Sequence, residues 1–196
     1  MARRKFTRKG QGKSHYKRLF IISPEGSTTE PQYFKLLNQL SAPEFVINCL
    51  INKKSSPNKI LKKMIDELQK TSLKKGDEAW IVIDKDNWTD DQLNSLYQWS
   101  KKSETNGLAV SNPKFEYWLL LHFENGCQGT QPSTCCSRLL AHIPNYSKHI
   151  DSKLFTIDSI KYAIHNAKLR DSPPCSDWPK FQGATTVYKL VEKLFN

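Results

Sequence analysis

A few of the 19 acidic residues in this 196-residue chain fall where carboxylates do chemistry. Glu25-Gly26 follows the apolar run Leu19-Phe20-Ile21-Ile22 and the stop Ser23-Pro24. Asp84-Lys85-Asp86 follows a second apolar run, Ala79-Trp80-Ile81-Val82-Ile83. In an extended chain residues i and i+2 point the same way, so Asp84 and Asp86 project from one face of a strand end. One carboxylate from the first strand and two from the second make an all-oxygen donor set suited to Mg²⁺ or Mn²⁺. Glu116 also closely follows a strand-like run, Leu108-Ala109-Val110. The plainer alternative for Asp84 and Asp86 is two solvated residues that end a strand.

The elements that position these groups follow from periodicity and punctuation. Thr28 or Thr29 caps a helix whose first turn holds Glu30 and Pro31, and Tyr33, Phe34, Leu36, Leu37 and Leu40 have helical spacing up to Pro43. A strand over Phe45 to Ile51 leads to a helix opened by Ser55-Ser56-Pro57, with Ile60, Leu61, Met64, Ile65 and Leu68 on its apolar face. The strand ending at Asp84 comes next, then a helix with Leu93, Leu96, Tyr97 and Trp99, whose Asp90 and Asp91 complement its N-terminus. Asn106-Gly107 turns the chain into the strand Leu108 to Val110, and the apolar helix of Phe115, Trp118, Leu119, Leu121, His122 and Phe123 follows. His122 reads as a packing histidine before a proton carrier. The β-α-β-α-β order predicts a mostly parallel sheet with helices on both faces. In such sheets ligands gather beyond the carboxyl ends of the strands, where the acidic turns fall.

Composition bounds the partners. Net charge is +11, from 30 Lys and Arg against 19 Asp and Glu, which favours a polyanion such as nucleic acid. Residues 1–17 carry Arg3, Arg4, Lys5, Arg8, Lys9, Lys13 and Lys17 with almost no aliphatic side chains, and read as a flexible basic arm ahead of one domain over 18–196. Its six basic residues up to Lys13 are the candidate nucleic-acid contacts. No apolar run of about 18 residues and no signal-peptide pattern is present, so the expectation is a cytoplasmic protein without a membrane span. Five cysteines without a Cys-x-x-Cys pair argue against a disulfide framework, and zinc on Cys127, Cys135, Cys136 and His142 fits standard spacing poorly. No Gly-x-Gly-x-x-Gly, Walker loop or Ser-His-Asp arrangement is legible, so nucleotide hydrolysis would need a separate ATPase chain. The stretch 125–150 reads as a loop-rich insertion with a short helix around Ser137 to His142, and its role is unreadable. A basic helix over Ser159 to Arg170, the breaker Ser172-Pro173-Pro174, Trp178-Pro179-Lys180-Phe181 and a last helix over Thr185 to Phe195 complete an α-rich C-terminal extension.

The Glu-Gly turn after a first strand and the Asp-x-Asp after a later one resemble the Toprim domain of topoisomerases, bacterial primases and the overcoming-lysogenization-defect nucleases. More closely, Pro24 to Phe34, Asp84-Lys85-Asp86 and the block Ser111-Asn112-Pro113-Lys114-Phe115-Glu116-Tyr117-Trp118 resemble the RloB family, small Toprim-type proteins of restriction and phage-defence loci, to which AbiL-type abortive-infection proteins are similar. The resemblance implies a Toprim-like fold and a metal-dependent nuclease of DNA or RNA in bacterial antiviral defence. Glu25, Asp84 and Asp86 would hold one Mg²⁺ or Mn²⁺, Glu30, Ser111 and Glu116 would help hold a second, and Lys180 would orient a phosphate. The sequence departs from related two-metal enzymes in one place. The position about one turn after Glu25, where they carry a second acid, is Thr29, with Glu30 one residue later, which leaves one-metal and two-metal chemistry both open. The alternative is a non-catalytic nucleic-acid-binding effector subunit of a partner ATPase. Primase-like nucleotidyl transfer would need a nucleotide pocket that is not legible. Oligomeric state, partner identity and the choice of DNA or RNA are not written in the sequence.

Overall fold

Successive apolar residues of the central strands face opposite sides of one sheet, and both sides are covered. In the computed structural model, which describes residues 16–40, 45–52, 56–86, 88–126, 130–144 and 146–195, four parallel strands are joined by helical crossovers. They are β1 (Arg18–Pro24), β2 (Phe45–Cys49), β3 (Glu78–Asp84) and β4 (Asn106–Asn112). A two-residue strand, β5 (Ala184–Thr185), adds antiparallel to β4, giving the order β2-β1-β3-β4-β5.

Phe20, Ile22, Trp80, Val82 and Ala109 face one side of this sheet. There they meet α1 (Thr29–Leu40), α4 (Phe115–Leu120), α5 (Pro132–His142), α6 (Ile157–Arg170) and α7 (Val187–Phe195). Ile21, Ala79, Ile81, Ile83, Leu108 and Val110 face the other side, against α2 (Pro57–Lys70) and α3 (Asp90–Ser100). Strands buried on both faces are the reason their sequences read as nearly continuous apolar runs. The helices start where chemistry predicts. Thr89 caps α3 reciprocally with Gln92, Asp90 and Asp91 occupy its first turn, and α2 follows Ser56 with Pro57 in its first turn.

Several boundaries move. The fourth strand begins at Asn106 rather than after Gly107, because Gly107 lies in the strand under the Trp80 indole, where a Cβ would overlap the ring. The second strand stops at Cys49, and α5 starts at Pro132, five residues ahead of the predicted helix. The C-terminal helices are not an appendage: Ile160, Ala163, Leu190 and Val191 belong to the same apolar cluster as Phe20 and Trp118, and β5 is hydrogen-bonded into the sheet. Arg3, Arg4, Lys5, Arg8, Lys9 and Lys13 lie outside the described residues. Among the described residues, no helix is long and apolar enough to cross a membrane.

Candidate metal centre

All parallel strands deliver their carboxyl ends to one edge, so β1, β3 and β4 end side by side, with Pro24 paired to Val82 and Asp84 to Ser111. Glu25 continues β1 by donating its N–H to Val82 O at 2.8 Å. Its carboxylate turns across to the next strand, accepting the Asp84 N–H at 3.0 Å and the Trp88 indole N–H at 3.1 Å. Asp84 accepts the Phe115 N–H on Oδ1 at 2.9 Å, which ties the end of β3 to the first turn of α4. Glu30, at the start of α1, folds back onto the Gly26 N–H at 2.9 Å. A Cβ on Gly26 would collide with the Glu30 carboxylate, which is the physical reason for glycine beside the acid. Glu116 accepts from the Tyr146 hydroxyl at 3.3 Å. The backbone N–H of Asp86 donates to Pro113 O at 3.1 Å. Glu25, Glu30, Asp84, Asp86 and Glu116 thus line one open cleft of about 530 Å³, together with Lys114, Cys136, Tyr146 and Lys148.

Crowded acids resist ionisation, as Asp84, Glu30 and Glu25 do. Burial first, then the neighbouring charges of Glu30, Glu25, Glu116 and Asp86, push the Asp84 carboxyl well above its ordinary range. Burial likewise raises Glu30, with Glu116 and Glu25 adding to it against the opposing pull of backbone N–H groups. Glu25 is raised by burial and by Asp86, while the Asp84 N–H and the Trp88 indole hold it back. A bound divalent cation reverses this balance by favouring every ionised form at once. The donor chemistry, all oxygen and strongly anionic, fits a hard cation such as Mg²⁺ or Mn²⁺. Among the described residues no three His, Cys, Asp or Glu side chains are drawn together into a ready-made cage. The reason is visible in the bonding: Glu25 is turned onto Trp88 and Asp84, and Glu30 onto Gly26. A carboxylate oxygen that accepts one N–H keeps a lone pair, so those bonds orient the ligands without consuming them.

The remaining predicted residues separate into those brought to the cleft and those left out. Glu30 and Thr29 both line it; Thr29 turns its hydroxyl to Tyr146 and the Lys148 carbonyl, each at 3.2 Å, so Glu30 supplies the carboxylate there. Ser111 is fully buried, bonded to the Thr185 hydroxyl at 2.9 Å, and does not line the cleft. Lys180 stands over the Trp178 ring at 3.6 Å and pairs with Asp177 at 2.9 Å, also away from the lining. The zinc ligands do not converge: Cys135 is buried, Cys136 lines the cleft, His142 stacks on Phe123 and meets Glu124 at 3.4 Å, and Cys127 lies outside the described residues. His122 is a packing histidine. Its Nδ1 donates to Trp118 O at 3.0 Å, which leaves Nε2 to accept from the Tyr33 hydroxyl at 3.0 Å, and burial lowers its pKa to about 4. Sequence reasoning missed Trp88, Lys114, Tyr146 and Lys148. The first two stand within four residues of named acids, which is a usable signal; the last two carry none.

A family model described as RloB-like protein matches residues 20–194. The chain therefore belongs to the RloB-like family. No curated protein and no solved structure matches it.

Proposed function

We propose that this RloB-like protein is a divalent-metal-dependent nuclease of Toprim type, acting on DNA or RNA in the cytoplasm as part of bacterial antiviral defence. One observation carries the reading: five carboxylates from the ends of β1 and β3 and the starts of α1 and α4 line a single cleft at the carboxyl edge of a parallel sheet. An acid after the first strand and Asp84-x-Asp86 after the third in chain order is the Toprim arrangement that the sequence resembles. Asp84, Asp86 and Glu25 would hold a Mg²⁺ or Mn²⁺, with Glu30 and Glu116 beside them to hold or position a second. Bound there, the cation would lower the pKa of a coordinated water and offset charge on the reacting phosphate.

The protein's own residues do the rest. Trp88 and the Asp84 N–H fix the Glu25 carboxylate, the Phe115 N–H fixes Asp84, and Gly26 gives Glu30 room to fold inward. Lys114 and Lys148 are the cations on the lining and supply the phosphate contacts that the sequence assigned to Lys180. The chain's charge of +11 draws a polyanion toward an otherwise acidic cleft.

A second reading has a specific observation in its favour. Glu25, Glu30 and Asp84 each accept a backbone N–H, a structural duty that a non-catalytic effector subunit working with a partner ATPase would also need. End-labelled DNA and RNA incubated with rising Mg²⁺ or Mn²⁺ separate the two. Cleavage by the wild type that disappears in Asp84→Asn and Glu25→Gln supports the nuclease. Binding without cleavage supports the effector, and cleavage unchanged in either variant discards the metal assignment.

A further inference from the structure

The segment 146–150, at the end of a stretch whose sequence shows no role, is strapped to α1 at the mouth of the cleft. Thr29 bonds Tyr146 and Lys148, while Gln32 meets His149 Nδ1 at 3.2 Å and accepts the Ile150 N–H at 3.0 Å. Lys148 holds a left-handed backbone, φ 66°, a conformation that residues other than glycine adopt at a cost. The hydrogen count at its centre is informative. A tyrosine hydroxyl has one hydrogen, and a carboxylate is the stronger acceptor, so Tyr146 donates to Glu116. The Thr29 hydroxyl, buried and also with one hydrogen, is then shared between the Tyr146 oxygen and the Lys148 carbonyl. The result is a chain, Thr29 to Tyr146 to Glu116, running from α1 through the strap to the acid on α4.

We propose that Tyr146 is a positioning residue for the carboxylate centre, its hydroxyl held by Thr29 and fixing Glu116 toward the cleft, so that the 146–150 strap is part of what binds the cation. The inference rests on the reading of the cleft as a metal centre. Groups that hold a ligand in place, without touching the metal, typically change metal affinity about 10–100-fold when removed. The full chain, stripped of metal, is titrated with Mn²⁺ and followed by electron paramagnetic resonance of the free ion. Tyr146→Phe, which removes one oxygen and keeps the ring, is expected to weaken Mn²⁺ binding about 10-fold with an unchanged melting temperature. Glu116→Ala is expected to weaken it at least as much, and Tyr146→Phe added to Glu116→Ala should cost nothing further, because the hydroxyl acts through that acid. Thr29→Val should weaken binding in the same direction as Tyr146→Phe. Wild-type affinity in Tyr146→Phe, or full additivity in the double variant, overturns the role of Tyr146 while leaving the metal centre standing. No Mn²⁺ binding by the wild type overturns the metal reading and this inference with it.

Discussion

Replacing Asp84 by Asn is expected to make the metal-free protein more stable while destroying its response to metal. The carboxyl of Asp84 is raised by burial and by Glu30, Glu25, Glu116 and Asp86, so ionising it in the folded protein is opposed by an adverse field. Each unit of such a shift is worth about 1.4 kcal/mol. The opposing cost is small, because the Asn carbonyl oxygen can still accept the Phe115 N–H that Oδ1 accepts now. Exchanging a charged for a neutral acceptor loses about 1 kcal/mol. A shift of more than one unit already outweighs it, so a net gain is expected. A chain of this size moves about 2–4 °C per kcal/mol, so each kcal/mol gained should raise the melting temperature in EDTA at pH 7.5 by that amount. The gain should shrink as pH falls and vanish below about pH 3, where the wild-type carboxyl is protonated in both states. Calorimetric melts of both proteins in EDTA across that range provide the assay. A lower melting temperature for Asp84→Asn at pH 7.5, or a gain that persists unchanged at about pH 3, would refute the electrostatic argument.

The pH dependence of the wild type follows with the same sign. Glu25, Glu30 and Asp84 have folded pKa values raised above their unfolded ones, so the stability they contribute is present below the unfolded carboxyl range and lost as pH rises through the folded values. Burial of neutral His122, its pKa lowered to about 4, works the other way below about pH 6.5, so the carboxylates are read from the Mg²⁺-induced rise in melting temperature, which should be larger at about pH 7.5 than at about pH 5; an equal or smaller rise at pH 7.5 would contradict it. Gly26→Ala places a methyl group where the Glu30 carboxylate now sits, so that flexible side chain must swing away and Mn²⁺ binding should weaken with little change in melting temperature; wild-type Mn²⁺ affinity would mean that Glu30 is not needed there. Trp118, fully buried and edge-on to Tyr33 and His122, should cost about 3–5 kcal/mol as Trp118→Ala, read by denaturant melts; a soluble variant of wild-type stability would remove it from the core. Deleting residues 1–13 removes Arg3, Arg4, Lys5, Arg8, Lys9 and Lys13. The slope of log affinity against log salt on duplex DNA should become shallower by about 0.9 for each lost phosphate contact, and an unchanged slope would deny those residues that role.

The parts of the fold legible in the sequence are those governed by local rules. Continuous apolar runs gave β1 and β3 because both faces of each strand are buried, and Asp90 and Asp91 marked the start of α3, where the Thr89–Gln92 cap spans only four residues. What long-range contacts decide stayed hidden. Gly107 reads as a turn until the Trp80 ring is seen to occupy the place of its side chain. β5 is two residues long and exists only because Ala184 and Thr185 pair with β4. The site divides along the same line. Glu25, Asp84, Asp86 and Glu116 could be named because they follow strand ends, and all four line the cleft; Thr29 lines it too, but its hydroxyl is bonded to the strap while Glu30 supplies the carboxylate. Tyr146 and Lys148 reach the site from more than 110 residues beyond Thr29, a separation that leaves no trace in spacing or composition. Lys180 matched the expectation by type and position but is engaged by Asp177 and the Trp178 ring.

The claim that the carboxylate cleft is a cation site is tested most directly by locating the ion. Crystals of the full chain soaked in Mn²⁺ would be measured at a wavelength where manganese scatters anomalously. The expected result is a peak bounded by oxygens of Glu25, Asp84 and Asp86, lost when the same crystals are grown from Asp84→Asn. A map with no peak in the cleft at saturating Mn²⁺, or with a peak that Asp84→Asn leaves in place, would contradict the account.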